Sequence, residues 1–284
     1  MVSDFEVKEV QAKSILVPSK LPDCDFVINP YTGCRFGCTY CYASFMGRYV
    51  GKDIKDWGNY VYAKINAPKL LKTEVKKLKN KGFGTNVFLS SVTDPYQGLE
   101  AKYKLTRGCL EVLLDAGFEG SIGILTKSDL VLRDMDIFKK LKSVEVGLTI
   151  TSTKDSISRY FEKFAPSVSQ RLEALKKLNE EGIKTYAFVG PLLPHFTANP
   201  ESLREIFDSL CGVGVKELYI EHINLSPYIK KRLFEELHDA PEKALDKFYM
   251  AGSPSYRNEL ESLVSSILKN YNFKLRLGGI LLHA

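Results

Sequence analysis

The sequence has little that would place it in or across a membrane. It lacks a run of about 18 consecutive apolar residues, which is the length that a membrane-spanning helix requires. It also lacks a basic segment followed by an apolar stretch near its start, so we expect no secretion signal. These absences predict a cytosolic (cytoplasmic) protein without a membrane partner.

Long blocks of one charge are absent too. The 40 basic and 34 acidic residues leave a formal net charge of +6, and no long lysine or arginine block occurs. Such a surplus permits a polyanionic partner such as a nucleic acid but does not require one.

Cysteine and histidine are scarce. The four histidines show no metal-ligand spacing, and six cysteines in a sequence without a secretion signal do not predict a disulfide framework. Cys109 falls on the apolar face of a predicted helix and Cys211 lies near a predicted helix end, so we expect both to be buried small hydrophobic residues. Three of the remaining four cysteines are clustered within eight residues.

The rest of the sequence alternates between β-prone and helical patterns. The predicted strands are residues 26–29, 86–91, 121–126, 144–151, 183–189 and 216–221, and the predicted helices are residues 66–80, 103–116, 131–142, 167–181 and 200–211. In a chain of 284 residues, 44% of them hydrophobic, this alternation predicts an α/β fold. Its parallel strands would be joined by right-handed crossovers, in either an open sheet or a barrel.

Polar or special residues stand where the predicted strands end. They are Ser90 and Ser91, Thr126 and Lys127, Thr149 and Thr151, Gly190 and Pro191, and Glu221 and His222. Because the carboxyl ends of the strands form the functional face of parallel α/β folds, we expect the site at this edge. The alternative is that the serines and threonines cap the following helices and that the lysine lies on the surface.

The stretch GCRFGCTYCY carries Cys34, Cys38 and Cys41 with the spacing CxxxCxxC. Its two glycines relax the backbone, so that a tight loop can aim three thiolates at one point, and a bound metal explains this arrangement most simply. The residues alone are compatible with an iron–sulfur cluster, with zinc, or with unrelated thiols. Zinc would need Cys24 as its fourth ligand, whereas three thiolates on four irons would leave one iron open.

The cysteine motif resembles that of the radical S-adenosylmethionine (SAM) superfamily, because Tyr40 precedes its last cysteine and it follows the first strand of a βα series. Further segments resemble the branch that contains spore photoproduct lyase. They are SVTDPYQ at residues 91–97, residues 126–128 with Arg133 and Asp134, and residues 159–171 leading into residues 182–194. The resemblance runs from about residue 24 to about residue 225.

The resemblance implies an α/β fold with a partial (β/α)6 TIM-type barrel of parallel strands, with the cluster loop after the first strand. The barrel would comprise residues 26–225, after an N-terminal extension of residues 1–25. A C-terminal helical extension of residues 226–284 would pack on the barrel.

The resemblance also implies a chemistry. Cys34, Cys38 and Cys41 would hold a [4Fe–4S] cluster whose open iron binds SAM. An electron from a reductase, or from a ferredoxin- or flavodoxin-type donor, would cleave SAM to a 5′-deoxyadenosyl radical that abstracts a hydrogen atom from the substrate. A nucleic acid or nucleotide-like lesion is the substrate expected from this branch. The alternatives are an enzyme of the same superfamily acting on a peptide or small metabolite, and a non-catalytic iron–sulfur or zinc protein.

Contacts with the amino-acid part of SAM are implied at two strand ends. Ser91, Thr93 and Asp94 would accept hydrogen bonds from its ammonium group. Lys127 would bind its carboxylate.

The remaining cofactor contacts are implied at three later strands. Thr149 and Thr151 share a parity and would both face the carboxylate or ribose. The backbone of Val189 and Gly190 would lie against the adenine. Glu221 would face the ribose or the substrate.

The lyase branch also indicates candidate catalytic residues. Tyrosines flank the last cluster cysteine in that branch, and Tyr40 and Tyr42 occupy these positions here. A hydrogen-donating cysteine stands three residues before the motif aspartate in that branch, whereas Ser91 stands three residues before Asp94 here. Because a serine O–H is a much poorer hydrogen-atom donor than a thiol, we predict Tyr40, Tyr42 and Ser91 as candidates without assuming the lyase reaction.

Overall fold

A computed structural model gives the structure of residues 5–283. The strands are β1 (Glu6–Val10), β2 (Leu16–Pro18), β3 (Phe26–Ile28), β4 (Tyr31–Thr32), β5 (Tyr60–Lys64), β6 (Asn86–Leu89), β7 (Ser121–Thr126), β8 (Val144–Thr149), β9 (Lys184–Leu192), β10 (Glu217–His222) and β11 (Lys274–Leu275). The α-helices are α1 (Ala67–Glu74), α2 (Glu100–Tyr103), α3 (Leu105–Asp115), α4 (Met135–Phe138), α5 (Asp155–Phe161), α6 (Val168–Glu180), α7 (Pro200–Gly212), α8 (Pro227–Glu236), α9 (Glu242–Met250) and α10 (Pro254–Leu268). The 3₁₀ helices are Tyr42–Val50, Ile54–Asp56, Val75–Lys77, Lys79–Gly82, Asp129–Asp134 and Arg276–Gly278. Within residues 5–283, no helix combines the length and the apolar character that crossing a membrane requires.

Eight of the strands form one sheet in the order β11-β10-β9-β8-β7-β6-β3-β2. Neighbouring strands are parallel except β2, which runs antiparallel to β3. The strands β3 and β6 to β10 therefore lie side by side in chain order, joined by helical segments as βαβ crossovers require. The sheet is open between its edge strands β2 and β11, and the predicted α/β fold with a partial barrel of six βα units is confirmed.

Some predicted boundaries differ from the structure. The predicted strands 86–91 and 144–151 end at Leu89 and Thr149. The predicted helix 131–142 is instead the 3₁₀ helix Asp129–Asp134 followed by the short α4. The buried Asp134 carboxylate is bound there by Tyr96 (3.1 Å) and Arg107 (2.9 Å) from neighbouring segments, and these tertiary contacts set the local conformation.

The sequence did not predict a second sheet of three strands, in the order β1-β5-β4. Its central strand β5 has the sequence YVYAK, and four of its five residues are buried. The alternation of polar and apolar residues that identifies a half-buried strand is therefore missing. β4 leads directly into the cysteine loop, so this small sheet supports the loop from one side.

Two apolar clusters hold the layers together. The larger cluster lies between the eight-stranded sheet and helices that include α1, α3, α6, α7 and α10. The smaller cluster joins the cysteine loop to α8 and α9 through residues such as Phe161, Leu233 and Phe248. The C-terminal helices therefore contact both the sheet and the loop. The division of the chain into residues 1–25, 26–225 and 226–284 stays a prediction.

The two cysteines predicted to be buried on helices differ in outcome. Cys109 is fully buried in α3, as predicted. Cys211 is exposed in α7, so the prediction of its burial is wrong. The buried stripe of α7 runs from Leu203 to Leu210, and Cys211 lies just beyond it at the end of the helix, where the stripe meets solvent.

Gly147 in β8 is expected to tolerate no side chain. A Cβ atom there would lie 2.2 Å from two atoms of the Tyr186 ring on the neighbouring strand β9. The ring is buried and its hydroxyl donates to the Ile124 carbonyl oxygen (3.0 Å), so it has little freedom to move. We predict that Gly147→Ala lowers the free energy of unfolding by roughly 1–3 kcal/mol or more, measured by urea denaturation.

Gly212→Ala is the control for this prediction. A Cβ atom at Gly212 would meet no atom within 4 Å, so its substitution should change the free energy of unfolding by less than about 0.5 kcal/mol. Equal losses in the two variants would contradict the packing described for β8 and β9.

Candidate cluster and cofactor site

The three motif cysteines lie in one loop at the carboxyl edge of the sheet, between β4 and the 3₁₀ helix Tyr42–Val50. Cys34 and Cys38 are buried and Cys41 is partly exposed. At Gly33, which has a φ of +85°, a Cβ atom would lie 2.4 Å from the Tyr60 carbonyl oxygen. Glycine is therefore needed where the loop folds tightly against β5.

The segment that follows β6 binds the start of the loop. The Thr93 hydroxyl donates to the Gly33 carbonyl oxygen (2.6 Å), and the Gln97 amide group donates to the same oxygen (3.2 Å). The side-chain carbonyl of Gln97 accepts a hydrogen bond from the main-chain N–H of Arg35 (2.9 Å). Two side chains of the SVTDPYQ segment thus fix the main chain on both sides of Cys34.

Asp94 links the ends of β6 and β7. Its buried carboxylate accepts hydrogen bonds from the Thr126 hydroxyl (2.6 Å) and from the main-chain N–H groups of Tyr96 and Lys127 (both 2.9 Å). Burial raises the pKa of Asp94, and these three donors oppose the rise. Asp94 therefore positions the segment that carries Lys127, and both of its oxygens already have protein partners.

Lys127 presents a positive charge to the cysteine loop. Its Nζ atom lies 5.7 Å from the centre of the Tyr40 ring, and it forms no salt bridge with any of residues 5–283. Burial alone would lower the pKa of Lys127, but the neighbouring acidic groups of Cys38 and Glu162 outweigh burial, so the pKa is raised. The side chain stays cationic at the strand end where the sequence predicted a partner for a carboxylate.

Burial dominates the behaviour of the three thiols. It raises the pKa of Cys34, Cys38 and Cys41, that of Cys38 to about 12, and Lys127 opposes the rise at Cys38 and Cys41. Because each pKa is raised above the ordinary value of a thiol, the three groups are protonated at neutral pH. A metal that binds them must therefore displace their protons.

A buried ion pair that the sequence did not predict lies beside the loop. Glu162 and Arg171 are both buried, and their Oε2 and Nη2 atoms are bonded to each other. The Oε1 atom of Glu162 accepts from the Tyr40 hydroxyl and from the Thr151 hydroxyl (3.1 Å), and Oε2 accepts from the Ser158 hydroxyl (2.9 Å). Burial would raise the pKa of Glu162, but Arg171 and Lys127 hold it at about 2.

Arg171 ties this pair to the end of the sheet. Its Nη1 atom donates to the Thr149 carbonyl oxygen (3.2 Å) at the end of β8, and Nε donates to the Pro166 carbonyl oxygen (3.0 Å). The predicted residues Thr149 and Thr151 thus both join the Glu162–Arg171 network. The one sequence signal for this network was an acidic residue in an aromatic window, YFEKF at residues 160–164.

Tyr42 and Ser91 lie together on the open side of the loop. The Tyr42 hydroxyl donates to the main-chain carbonyl oxygen of Ser91, and Tyr42 is 42% exposed. The Ser91 hydroxyl accepts from the Asn29 amide group (3.3 Å). The phenol of Tyr42 is therefore bonded to the backbone of Ser91 and not to its side chain. By contrast, the other predicted tyrosine, Tyr40, is buried against Glu162.

The predicted residues of the last two barrel strands are neighbours. A Cβ atom on Gly190 would lie 2.7 Å from the Glu221 Cβ atom and 2.9 Å from the Phe188 ring, so glycine is needed where β9 packs closely against β10. The fully buried Val189 pairs with Ile220 in register. Glu221 binds Nε2 of His283 (3.0 Å), a contact from the C-terminal segment that the sequence did not predict.

Cys24 lies away from the other three cysteines. Its thiol donates to the Phe26 carbonyl oxygen (3.0 Å), and the adjacent Asp25 N–H bonds to Asn86 at the amino end of β6 (2.9 Å). The cysteine loop lies at the carboxyl ends of these strands, whereas Cys24 lies at their amino ends, on the opposite side of the sheet. The zinc alternative therefore lacks its fourth ligand.

The residues around the loop fit an iron–sulfur cluster. The hydroxyl groups of Thr39 and Ser44 and the Nη1 atom of Arg232 are buried without a hydrogen-bond partner in the described part of the chain. With Lys127, they offer donors and positive charge to an anionic group at the thiols. No three His, Cys, Asp or Glu side chains of residues 5–283 converge on a single ion, and ligands of separate irons in a cluster stand further apart than ligands of one ion.

Comparison with known proteins identifies the family. The family model described as "Radical SAM superfamily" matches residues 28–210. An uncharacterized protein of Methanocaldococcus jannaschii is 43% identical over 194 residues, which cover 68% of this chain and 70% of that protein.

Solved structures share the fold. A spore photoproduct lyase complexed with dinucleoside spore photoproduct matches 98% of this chain and 82% of its own chain, with a TM-score of 0.67 and 17% identity. SuiB of Streptococcus suis bound to S-adenosylmethionine matches 99% of this chain and 50% of its own, with a TM-score of 0.53 and 11% identity. The predicted family is confirmed. The chain belongs to the radical SAM superfamily, whose enzymes use a [4Fe–4S] cluster and SAM.

Proposed function

We propose that this enzyme reductively cleaves SAM at a [4Fe–4S] cluster held by Cys34, Cys38 and Cys41, and that it acts on a nucleic acid or nucleotide-like substrate. The observation that carries the proposal is the loop of three thiols, those of Cys34 and Cys38 buried, which faces Lys127. Lys127 is a cation without a salt bridge to residues 5–283. Three protein ligands leave one iron open, and a nearby cation suits the carboxylate of an amino acid.

The role of the protein chain is to bind the cluster and SAM and to orient SAM. When bound, the cluster and SAM supply a 5′-deoxyadenosyl radical, whose power to abstract a hydrogen atom no side chain can match. Lys127 would hold the carboxylate of SAM, and Ser91 would accept from its ammonium group, since the Ser91 hydroxyl has spare acceptor capacity. Thr93 and Asp94 would act next to them, mainly by fixing the loop and Lys127.

The far end of SAM would lie along the last strands of the barrel. We assign the backbone at Val189 and Gly190 to the adenine, because these residues lie at the carboxyl end of β9, on the side of the sheet where the cysteine loop lies. Thr149 and Thr151 would line the site beside the ribose. Glu221, next to Gly190, would contact the ribose or the substrate.

Two features support a nucleic acid or nucleotide-like substrate. The fold is shared with a lyase solved with a dinucleoside photoproduct, and the chain carries a formal charge of +6. Ser91 offers no thiol hydrogen, so the lyase reaction itself is not proposed, and Tyr42 beside it stays a candidate for hydrogen relay. Binding of a fluorescent oligonucleotide that weakens with added salt would support this substrate class, whereas no binding would favour a peptide or small metabolite.

Enzymes of this family need an electron donor. We propose a ferredoxin- or flavodoxin-type donor or a reductase for this chain. A cytosolic location stays a prediction.

The cysteine variants test the ligand assignment. After anaerobic reconstitution the wild-type chain should hold about four irons and form 5′-deoxyadenosine when reduced with SAM. Cys34→Ser, Cys38→Ser and Cys41→Ser should each lose most of the iron, while Cys24→Ser should keep it because Cys24 lies at the opposite edge of the sheet. Iron loss from Cys24→Ser equal to that of the other three would contradict the assignment.

Lys127→Met should weaken SAM binding to the reconstituted protein about tenfold to a hundredfold. A charge-assisted contact is worth about 1.5–3 kcal/mol, and each 1.4 kcal/mol is a tenfold change in Kd. Lys139→Met, which removes an exposed lysine paired with Glu181, is the control and should leave Kd unchanged. Equilibrium dialysis measures the Kd. If the Kd of Lys127→Met were unchanged, Lys127 would not bind SAM.

The Glu162–Arg171 pair is expected to hold the loop through Tyr40. Arg171→Met removes the cation that is hydrogen-bonded to the buried Glu162 carboxylate, so we predict a loss of about 3–5 kcal/mol in the free energy of unfolding. Adding Glu162→Gln to Arg171→Met should restore part of this loss, because residue 162 is then neutral and no longer needs the Arg171 charge. Urea denaturation of the cluster-free protein measures both.

The surface pair Lys163–Glu236 provides the control. Both of its side chains are at the surface, 43% and 37% exposed, so Lys163→Met should cost no more than about 1 kcal/mol. If Arg171→Met cost no more than Lys163→Met, the buried pair would not be what stabilises this region.

A further inference from the structure

Arg232 of α8 is a buried cation without a counter-ion. Its side chain reaches the cysteine loop, where Nη2 donates to the Gly37 carbonyl oxygen (3.2 Å) and Nη1 has no hydrogen-bond partner. The residue is 8% exposed, and it forms no salt bridge with residues 5–283. Because burying an unpaired charge costs several kcal/mol, such a group calls for a negative charge nearby.

The surroundings of Arg232 identify where that charge belongs. The Gly37 carbonyl that Arg232 contacts immediately precedes Cys38, so the guanidinium group lies against the loop that carries the three thiols. Glu236, one turn further along α8, is already bound to Lys163 (2.8 and 2.7 Å). Once a metal displaces their protons, the cysteine thiolates can therefore supply the counter-charge that the guanidinium group lacks.

Three thiolates around a [4Fe–4S] cluster make an anion, and a one-electron reduction adds a further negative charge. The reduction potential of such a cluster depends on its net charge, on hydrogen bonds to its sulfurs and on its burial. A buried guanidinium group beside the cluster favours the more negative, reduced state, because their attraction is little screened there.

We propose that Arg232 sets the reduction potential of the cluster held by Cys34, Cys38 and Cys41, by stabilising its reduced form. The inference rests on the proposed function. The electron comes from the ferredoxin- or flavodoxin-type donor, which is oxidised by one electron as the cluster is reduced by one, with no proton or bond exchanged. The C-terminal helix α8 thereby becomes part of the redox site.

The test is a redox titration of the reconstituted protein without SAM, followed by electron paramagnetic resonance. Arg232→Gln keeps an amide donor for the Gly37 carbonyl but removes the charge. We expect the ratio of reduced to oxidised cluster at a fixed potential to fall about tenfold, which is a midpoint about 59 mV more negative. Arg232→Lys, which keeps the charge, should stay close to the wild type.

Lys231→Gln is the matched control. It removes the same charge from the neighbouring position of α8, but its side chain is exposed, so solvent should screen its effect and the midpoint should not move. An unchanged midpoint in Arg232→Gln would overturn the inference, and so would equal shifts in Arg232→Gln and Arg232→Lys or in Arg232→Gln and Lys231→Gln.

Iron analysis keeps the test decisive if a variant assembles poorly. If Arg232→Gln loses iron and Arg232→Lys keeps it, the positive charge of residue 232 acts on the cluster, which supports the inference. If both variants lose iron, the inference is contradicted. A wild-type chain that holds no cluster would refute the proposed function itself. A redox-active wild-type cluster with an unshifted Arg232→Gln would refute only this inference.

Discussion

The cysteine loop has little regular structure of its own, so its shape depends on hydrogen bonds that reach it from the ends of separate strands. Thr93 and Gln97, after β6, bind the carbonyl oxygen of Gly33, and Glu162, after β8, binds the hydroxyl of Tyr40. The first two contacts are at the residue before Cys34, and the third is at the residue before Cys41. The arrangement of the three thiols is thus a consequence of the parallel sheet, whose strand ends meet at one edge.

The charges at this edge do not balance within the described part of the chain. Arg171 is paired with Glu162, but Lys127 and Arg232 both lie beside the loop without a carboxylate in salt-bridge distance. Buried or half-buried cations without partners are costly, and they are found where a site binds an anion. A thiolate-bound cluster with the carboxylate of SAM would supply the negative charge that these two cations lack.

Much of the barrel could be predicted from sequence, because strands β6 to β10 are short apolar runs bounded by helical patterns and glycines. The three cysteines and the SVTDPYQ segment likewise act through local spacing. β5 could not be found this way, since burial on both faces removes its alternation. The partners of Glu162 and Arg232 were also hidden, because Arg232 is 195 positions from Gly37 and only the folded chain brings α8 to the loop.

The central claim is that the loop leaves one iron free for SAM. The most direct measurement is the electron paramagnetic resonance spectrum of the reduced, four-iron protein before and after SAM is added. The account predicts that SAM changes the spectrum of the wild-type cluster, because the amino and carboxylate groups bind the open iron. A complete, reducible cluster whose spectrum is the same with and without SAM would contradict it, and would describe an electron carrier instead.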